Sequence, residues 1–80
     1  MSSSAIRLEP LAVDVTFTAD ALQVRLADGR EVSAPLEWFP RLRDAGEGAR
    51  REWRLIGGGV GIHWPEVDED ISVAGLLATR

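Results

Sequence analysis

The chain of 80 residues has no cysteine, no lysine and a single histidine. Without cysteine there is no disulfide scaffold, no thiolate zinc site and no cysteine nucleophile, so a chain this short stands on its hydrophobic core alone. Positive charge is scarce as well. Nine arginines face thirteen carboxylates for a formal net charge of -4, which leaves no overall field to hold a polyanionic nucleic acid. Long apolar runs are missing: no segment approaches the ~20 apolar residues that span a bilayer. The start, Met1-Ser2-Ser3-Ser4 and then Ala5, Ile6 and Arg7, lacks the apolar stretch of a signal peptide. The expected address is the cytoplasm, with no membrane partner.

What the chain does have is an ordinary globular balance, 45% hydrophobic and 28% charged. At this length roughly 60–65% of the unfolded surface is buried on folding, so most apolar residues must be core. No repeat or linker divides the chain. Residues 1–10 read as a flexible or loosely attached N-terminus and 11–80 as a single α+β domain.

From Leu11 to Phe17 apolar residues alternate, with Leu11, Val13, Val15 and Phe17 on one side, which is the period of a half-buried strand. Ala19-Asp20 makes a tight turn. Leu22, Val24 and Leu26 continue the alternation, and Asp28-Gly29 turns the chain into a third strand around Val32. These three strands are expected to form an antiparallel meander with one wet face. Leu36, Phe39, Leu42 and Ala45 then recur every three residues, a helical spacing that accommodates Pro40 only within the first turn. A short helix over about Phe39 to Asp44 follows, stopped by Gly46 and Gly48, with a further turn at Ala49 to Glu52. Trp53, Leu55 and Ile56 on one side of Gly57-Gly58-Gly59, and Val60, Ile62 and Trp64 on the other, predict a second hairpin ended by Pro65. Asp68, Glu69 and Asp70 stand before Ile71, Ala74, Gly75, Leu77 and Ala78, which reads as a helix whose N-terminal N–H groups the carboxylates cap. The expected order is β-β-β-α-β-β-α.

Sites that could carry chemistry are few. The glycine cluster does not fit a dinucleotide fingerprint, because the sixth position from Gly57 is Ile62 and a strand, not a helix, follows; a phosphate loop would also need a lysine. A hairpin turn with close backbone approach explains it. His63 with Asp68 and Asp70 is the one polar set that could perform acid–base work or hold a metal, although a single histidine is a thin ligand set. No metal and no cofactor are expected. No serine lies in a Gly-x-Ser-x-Gly elbow and no catalytic residue is assigned. Arg41, Arg43, Arg50, Arg51 and Arg54 fall within one stretch flanked by Trp38 and Trp53. Arginine and tryptophan dominate interface hot spots, so Trp38, Arg41, Arg50, Arg51 and Trp53 are the candidate partner-binding residues. Two other readings stand beside this one: a solvated face paired with Asp44, Glu47 and Glu52, and a local nucleic-acid patch.

Several runs together resemble a known family. Pro35-Leu36-Glu37-Trp38-Phe39-Pro40-Arg41-Leu42, then Trp53-Arg54-Leu55-Ile56-Gly57, then Gly61-Ile62-His63-Trp64-Pro65, and then Asp68-Glu69-Asp70-Ile71-Ser72-Val73 with Gly75-Leu76-Leu77 are similar to the small bacterial family called domain of unknown function 2442. The resemblance covers about Val13 to Leu77 and departs from the family pattern at Gly46 to Gly48. It implies an α+β fold like the N-terminal domain of a nitrosomonad protein, where such a domain precedes a helix-turn-helix. It also implies a neighbouring gene product as partner, in a toxin–antitoxin-like arrangement, and it carries over no catalytic residue. The expected function is therefore a non-enzymatic protein-binding or regulatory module, with another small protein or a second copy as partner. The alternatives are a metal-dependent or acid–base enzyme centred on His63, Asp68 and Asp70, and a nucleic-acid-associated regulator using its arginines.

Overall fold

A computed structural model describes residues 10–78. The alternating segments form β1 (Ala12–Phe17), β2 (Ala21–Leu26) and β3 (Glu31–Pro35), an antiparallel sheet in that order. The first turn is closed by the Thr18 N–H donating to the Ala21 carbonyl at 2.8 Å. At the second, the Leu26 N–H donates to the Arg30 carbonyl at 2.8 Å, and Gly29 takes φ +96°. This is a three-residue loop closed by a left-handed glycine. Asp28 accepts from both the backbone N–H and the Nε–H of Arg30, and that pairing holds its carboxyl below the ordinary value.

One alternation is interrupted. Ala12 pairs with Leu26 but Asp14 with Arg25, so β1 carries an extra residue, and Val13 is 46% exposed while Ala12 and Val15 are buried. The strict alternation expected from Leu11 to Phe17 therefore fails at Val13, because a bulge slips the register by one residue.

Leu36–Trp38 form a 3₁₀ turn, and α1 (Pro40–Arg43) follows with Pro40 in its first turn. Leu36 and Leu42 are buried, as the three-residue spacing requires. Gly46 precedes α2 (Glu47–Arg51), so Gly48 does not stop the chain but sits inside a second short helix.

The second hairpin is β4 (Arg54–Ile56) and β5 (Gly61–Trp64). Ile62 and Trp64 point into the core and His63 to the other face. A sixth strand, β6 (Glu69–Ser72), pairs antiparallel with β5 and makes a second three-stranded sheet. Helix α3 (Val73–Ala78) begins only after it, and the Ser72 hydroxyl caps it by accepting from the Gly75 N–H at 2.9 Å. The acidic run expected to cap this helix lies in the turn and strand before it. The cause is local: Ile71 pairs with Ile62 in the sheet and is buried there, so the helix begins only at Val73, with Ser72 as its cap.

The core joins Ala12, Val15, Leu22, Val24 and Leu26 from the first sheet to Ile62, Trp64 and Ile71 from the second, with Leu42, Val73 and Leu76 from the helices. Where the sheets meet, the Ala12 N–H donates to the Gly59 carbonyl at 2.8 Å. Gly59 has φ +122°, and a Cβ there would lie 2.6 Å from the Ala12 carbonyl oxygen, so no side chain fits. The close approach expected of the glycine cluster is thus made by this chain's own β1. The segment expected to be loosely attached, 1–10, lies outside the described residues apart from Pro10. Among the described residues no helix is long and apolar enough to cross a membrane.

Candidate functional site

Of the arginines between the two sheets, Arg41, Arg43 and Arg50 are tied into the fold by hydrogen bonds, and only Arg50 is even partly buried. The Arg50 Nε–H donates to the Leu42 carbonyl at 2.9 Å and its Nη2 to the Arg43 carbonyl at 2.8 Å, which satisfies the open C-terminal carbonyls of α1. The same guanidinium stands 5.4 Å from the centroid of the Phe17 ring, and the Arg50 carbonyl accepts from the Trp64 indole N–H at 3.1 Å. Phe17 in turn meets Trp64 edge-on at 6.2 Å. Arg50 is therefore a bracket between α1, β1 and β5.

Arg41 donates from Nη1 to the Asp68 carbonyl at 2.7 Å and ties α1 to the turn before β6. Asp68 itself has φ +54°, so this bond reinforces an uncommon backbone conformation. Arg43 pairs with Asp44 and Glu37. The first of these contacts dominates in raising the arginine's already high pKa and in lowering that of Asp44. The side chains of Arg51, Glu47 and Glu52 make no hydrogen bond or ion pair among the described residues. The solvated, mutually paired face expected here is found only around Arg43.

The candidate partner residues separate into two places. Trp38 is 46% exposed and stands over a cleft of about 540 Å³ with Phe39, Asp70, Ile71, Gly75 and Leu76. Its ring meets Phe39 edge-on at 6.5 Å. Arg51 and the half-buried Trp53 line a different groove, of about 580 Å³, between α2 and the outer edge of β1 at Val15 to Ala19. Arg50 borders this groove as well, whereas Arg41 lines neither.

The polar candidates come together in part. His63 and Asp70 are cross-strand partners on β5 and β6, with Nδ1 and Oδ1 2.5 Å apart. Asp70 also borders the Trp38 cleft, so the pair lies at its rim. Asp68 is tied to Arg41 through its backbone instead, and among the described residues no group of three or more histidines and carboxylates is placed to hold a metal ion. Among the described residues, the arrangement offers a two-residue proton relay at the edge of an apolar cleft.

Sequence reasoning missed Phe17, Ile71 and Leu76 as parts of these sites. Phe17 carried a signal in its strand parity, but Ile71 and Leu76 acquire their places only through β6, which the acidic run concealed.

The family described as Protein of unknown function (DUF2442) matches residues 12–80. The chain belongs to the DUF2442 family. Both sheets, both clefts and every candidate residue fall inside the match. A similar solved structure is the crystal structure of a protein of unknown function from Rhodospirillum rubrum. It shares 28% identity at a TM-score of 0.73, over 88% of this chain and 87% of that one. No curated protein matches the chain.

Proposed function

We propose that this DUF2442 chain is a non-enzymatic protein-binding or regulatory module of the cytoplasm, one half of a toxin–antitoxin-like pair with a small protein encoded nearby. The observation that carries this reading is Trp38, an exposed indole over an apolar cleft, where a partner side chain would gain the large desolvated contact that marks a hot spot. The direct test is co-expression of the tagged chain with the product of the neighbouring gene, followed by affinity capture. Co-purification that Trp38→Ala weakens by roughly thirtyfold or more, as expected for a tryptophan hot spot, supports the reading. Recovery of the chain alone, or a complex indifferent to that substitution, refutes it.

A second reading rests on the His63–Asp70 pair at the rim of the same cleft: an acid–base site in which Asp70 orients the imidazole. It predicts a turnover on a ligand of the cleft that His63→Ala abolishes while leaving binding intact. Arginine-mediated nucleic-acid binding has less support, because Arg41, Arg43 and Arg50 are each engaged by partners within the fold.

A further inference from the structure

Strand β1 lies at the outside of its sheet, and the register states which of its backbone groups are open. The Thr18 N–H bonds to Ala21, so Thr18, Thr16 and Asp14 direct their N–H and carbonyl groups toward β2. Val15 and Phe17 therefore direct theirs outward. At the other end of the strand, this edge is already occupied by Gly59, which accepts the Ala12 N–H. The Val15 N–H is occupied as well, donating to the Asp14 carboxylate at 2.9 Å. That leaves the Val15 carbonyl and both backbone groups of Phe17 facing the groove, without a backbone partner among the described residues.

The walls of the groove narrow the occupant further. Trp53 and Phe17 supply apolar surface, and Arg50 and Arg51 stand against one carboxylate, Glu47. Arg51 is the wall's uncommitted cation, since Arg50 is held by the α1 carbonyls. An alternating donor and acceptor row selects an extended chain, and an unpaired guanidinium beside it selects a carboxylate on that chain.

We infer that the groove beside β1 takes an extended acidic segment of a partner protein, added as a fourth strand on Val15–Phe17 with a carboxylate side chain on Arg51 and an apolar one against Trp53. This rests on the binding-module reading and deepens it by stating where, and in which conformation, the partner is gripped. It uses a surface separate from the Trp38 cleft.

The test uses the full chain and a fluorescently labelled ten-residue peptide of alternating glutamate and valine. Expected are binding by anisotropy, amide shifts confined to residues 15–19 and 47–53, and at least about tenfold weaker binding to Arg51→Glu, the exchange of a charge-assisted pair for a repulsion. N-methylation of the peptide's amides removes its backbone donors and is expected to abolish binding. Arg51 is exposed and its side chain holds nothing among the described residues, so the variant is expected to keep the parent's circular dichroism and melting temperature. Equal binding of a lysine–valine peptide, indifference to Arg51→Glu, or full retention by the N-methylated peptide overturns the proposal. So does concentration-dependent dimerisation of the chain that Arg51→Glu abolishes, which assigns the groove to a second copy, or preferential binding of a single-stranded oligonucleotide. Capture of the neighbouring gene product that depends on Trp38 but not on Arg51 overturns this inference alone. Loss of all capture removes the binding-module reading with it.

Discussion

The two halves of the chain solve the same problem differently. Each is a three-stranded antiparallel meander, but the strands of the first run to five or six residues while those of the second run to three or four. The first sheet buries an alternating set along Ala12, Val15, Leu22, Val24, Leu26 and Ala34. The second buries Ile62, Trp64 and Ile71, and leaves β4 exposed throughout. It is secured instead by single side chains reaching across elements, Trp64 to the Arg50 carbonyl and Arg41 to the Asp68 carbonyl. A sheet built on a repeated pattern spreads its stability over many residues. One built on a few anchors concentrates it.

The largest expected effect follows from that concentration. Trp64 is fully buried and loses both its packing and its hydrogen bond in Trp64→Ala, for a destabilisation of about 3–5 kcal/mol. Leu22→Ala in the first sheet, equally buried, is expected to cost less within the range of about 2–5 kcal/mol, because it leaves the smaller cavity and breaks no hydrogen bond. Urea denaturation of both variants checks the order, and amide exchange adds a sharper reading, with β4 to β6 opening before β2 in Trp64→Ala. If Leu22→Ala proves the more costly, the contrast between the halves collapses.

Next in size is the seam between the sheets. Gly59→Ala places a methyl against the Ala12 backbone at positive φ and is expected to cost roughly 2–3 kcal/mol. Gly48→Ala meets nothing within 4 Å and lies inside α2, so it is expected to stabilise by about 0.5–1 kcal/mol through helix propensity. Thermal melts of the two variants should move in opposite directions.

The smallest effect is a pH dependence outside both sheets. Arg43 lowers the folded-state pKa of Asp44 below its ordinary 3.8, so this contribution is present above about pH 4 and fades as pH falls through the lowered value. Asp44→Asn should therefore shift the urea midpoint slightly at pH 7, and by progressively less as the pH falls below 3.8. A difference that persists in acid would assign the effect to something other than the ion pair.

The unequal halves also explain what could be read from the sequence. The first meander was legible because its alternation continues across two turns with strong turn residues, and only the bulge at Val13 is invisible to a period of two. The second was half legible. Ile62 and Trp64 announce β5, but β6 is Glu-Asp-Ile-Ser, with one apolar residue and a run of carboxylates that suits a helix cap equally well. The site suffers the same way. Trp38, Arg51 and Trp53 are conspicuous as residue types, while their division between two clefts depends on β6 and on the open edge of β1. Arg50 is the instructive case: a residue type suited to binding a partner is used here to close the end of a helix.

The contact between Ala12 and Gly59 bears on how the chain acquires its structure. Each meander is made of hairpins between neighbours in sequence, which close on the microsecond scale without reference to the rest of the chain. The Ala12–Gly59 bond is, among the described residues, the one backbone hydrogen bond between the two meanders, and it joins positions separated by most of the chain. Its loop-closure entropy must be met before the shared core rewards it. Docking of the two halves at this seam is thus the expected slow step, and a substitution at Gly59 is expected to change the folding rate, read by stopped-flow refolding, as well as the stability of the finished fold.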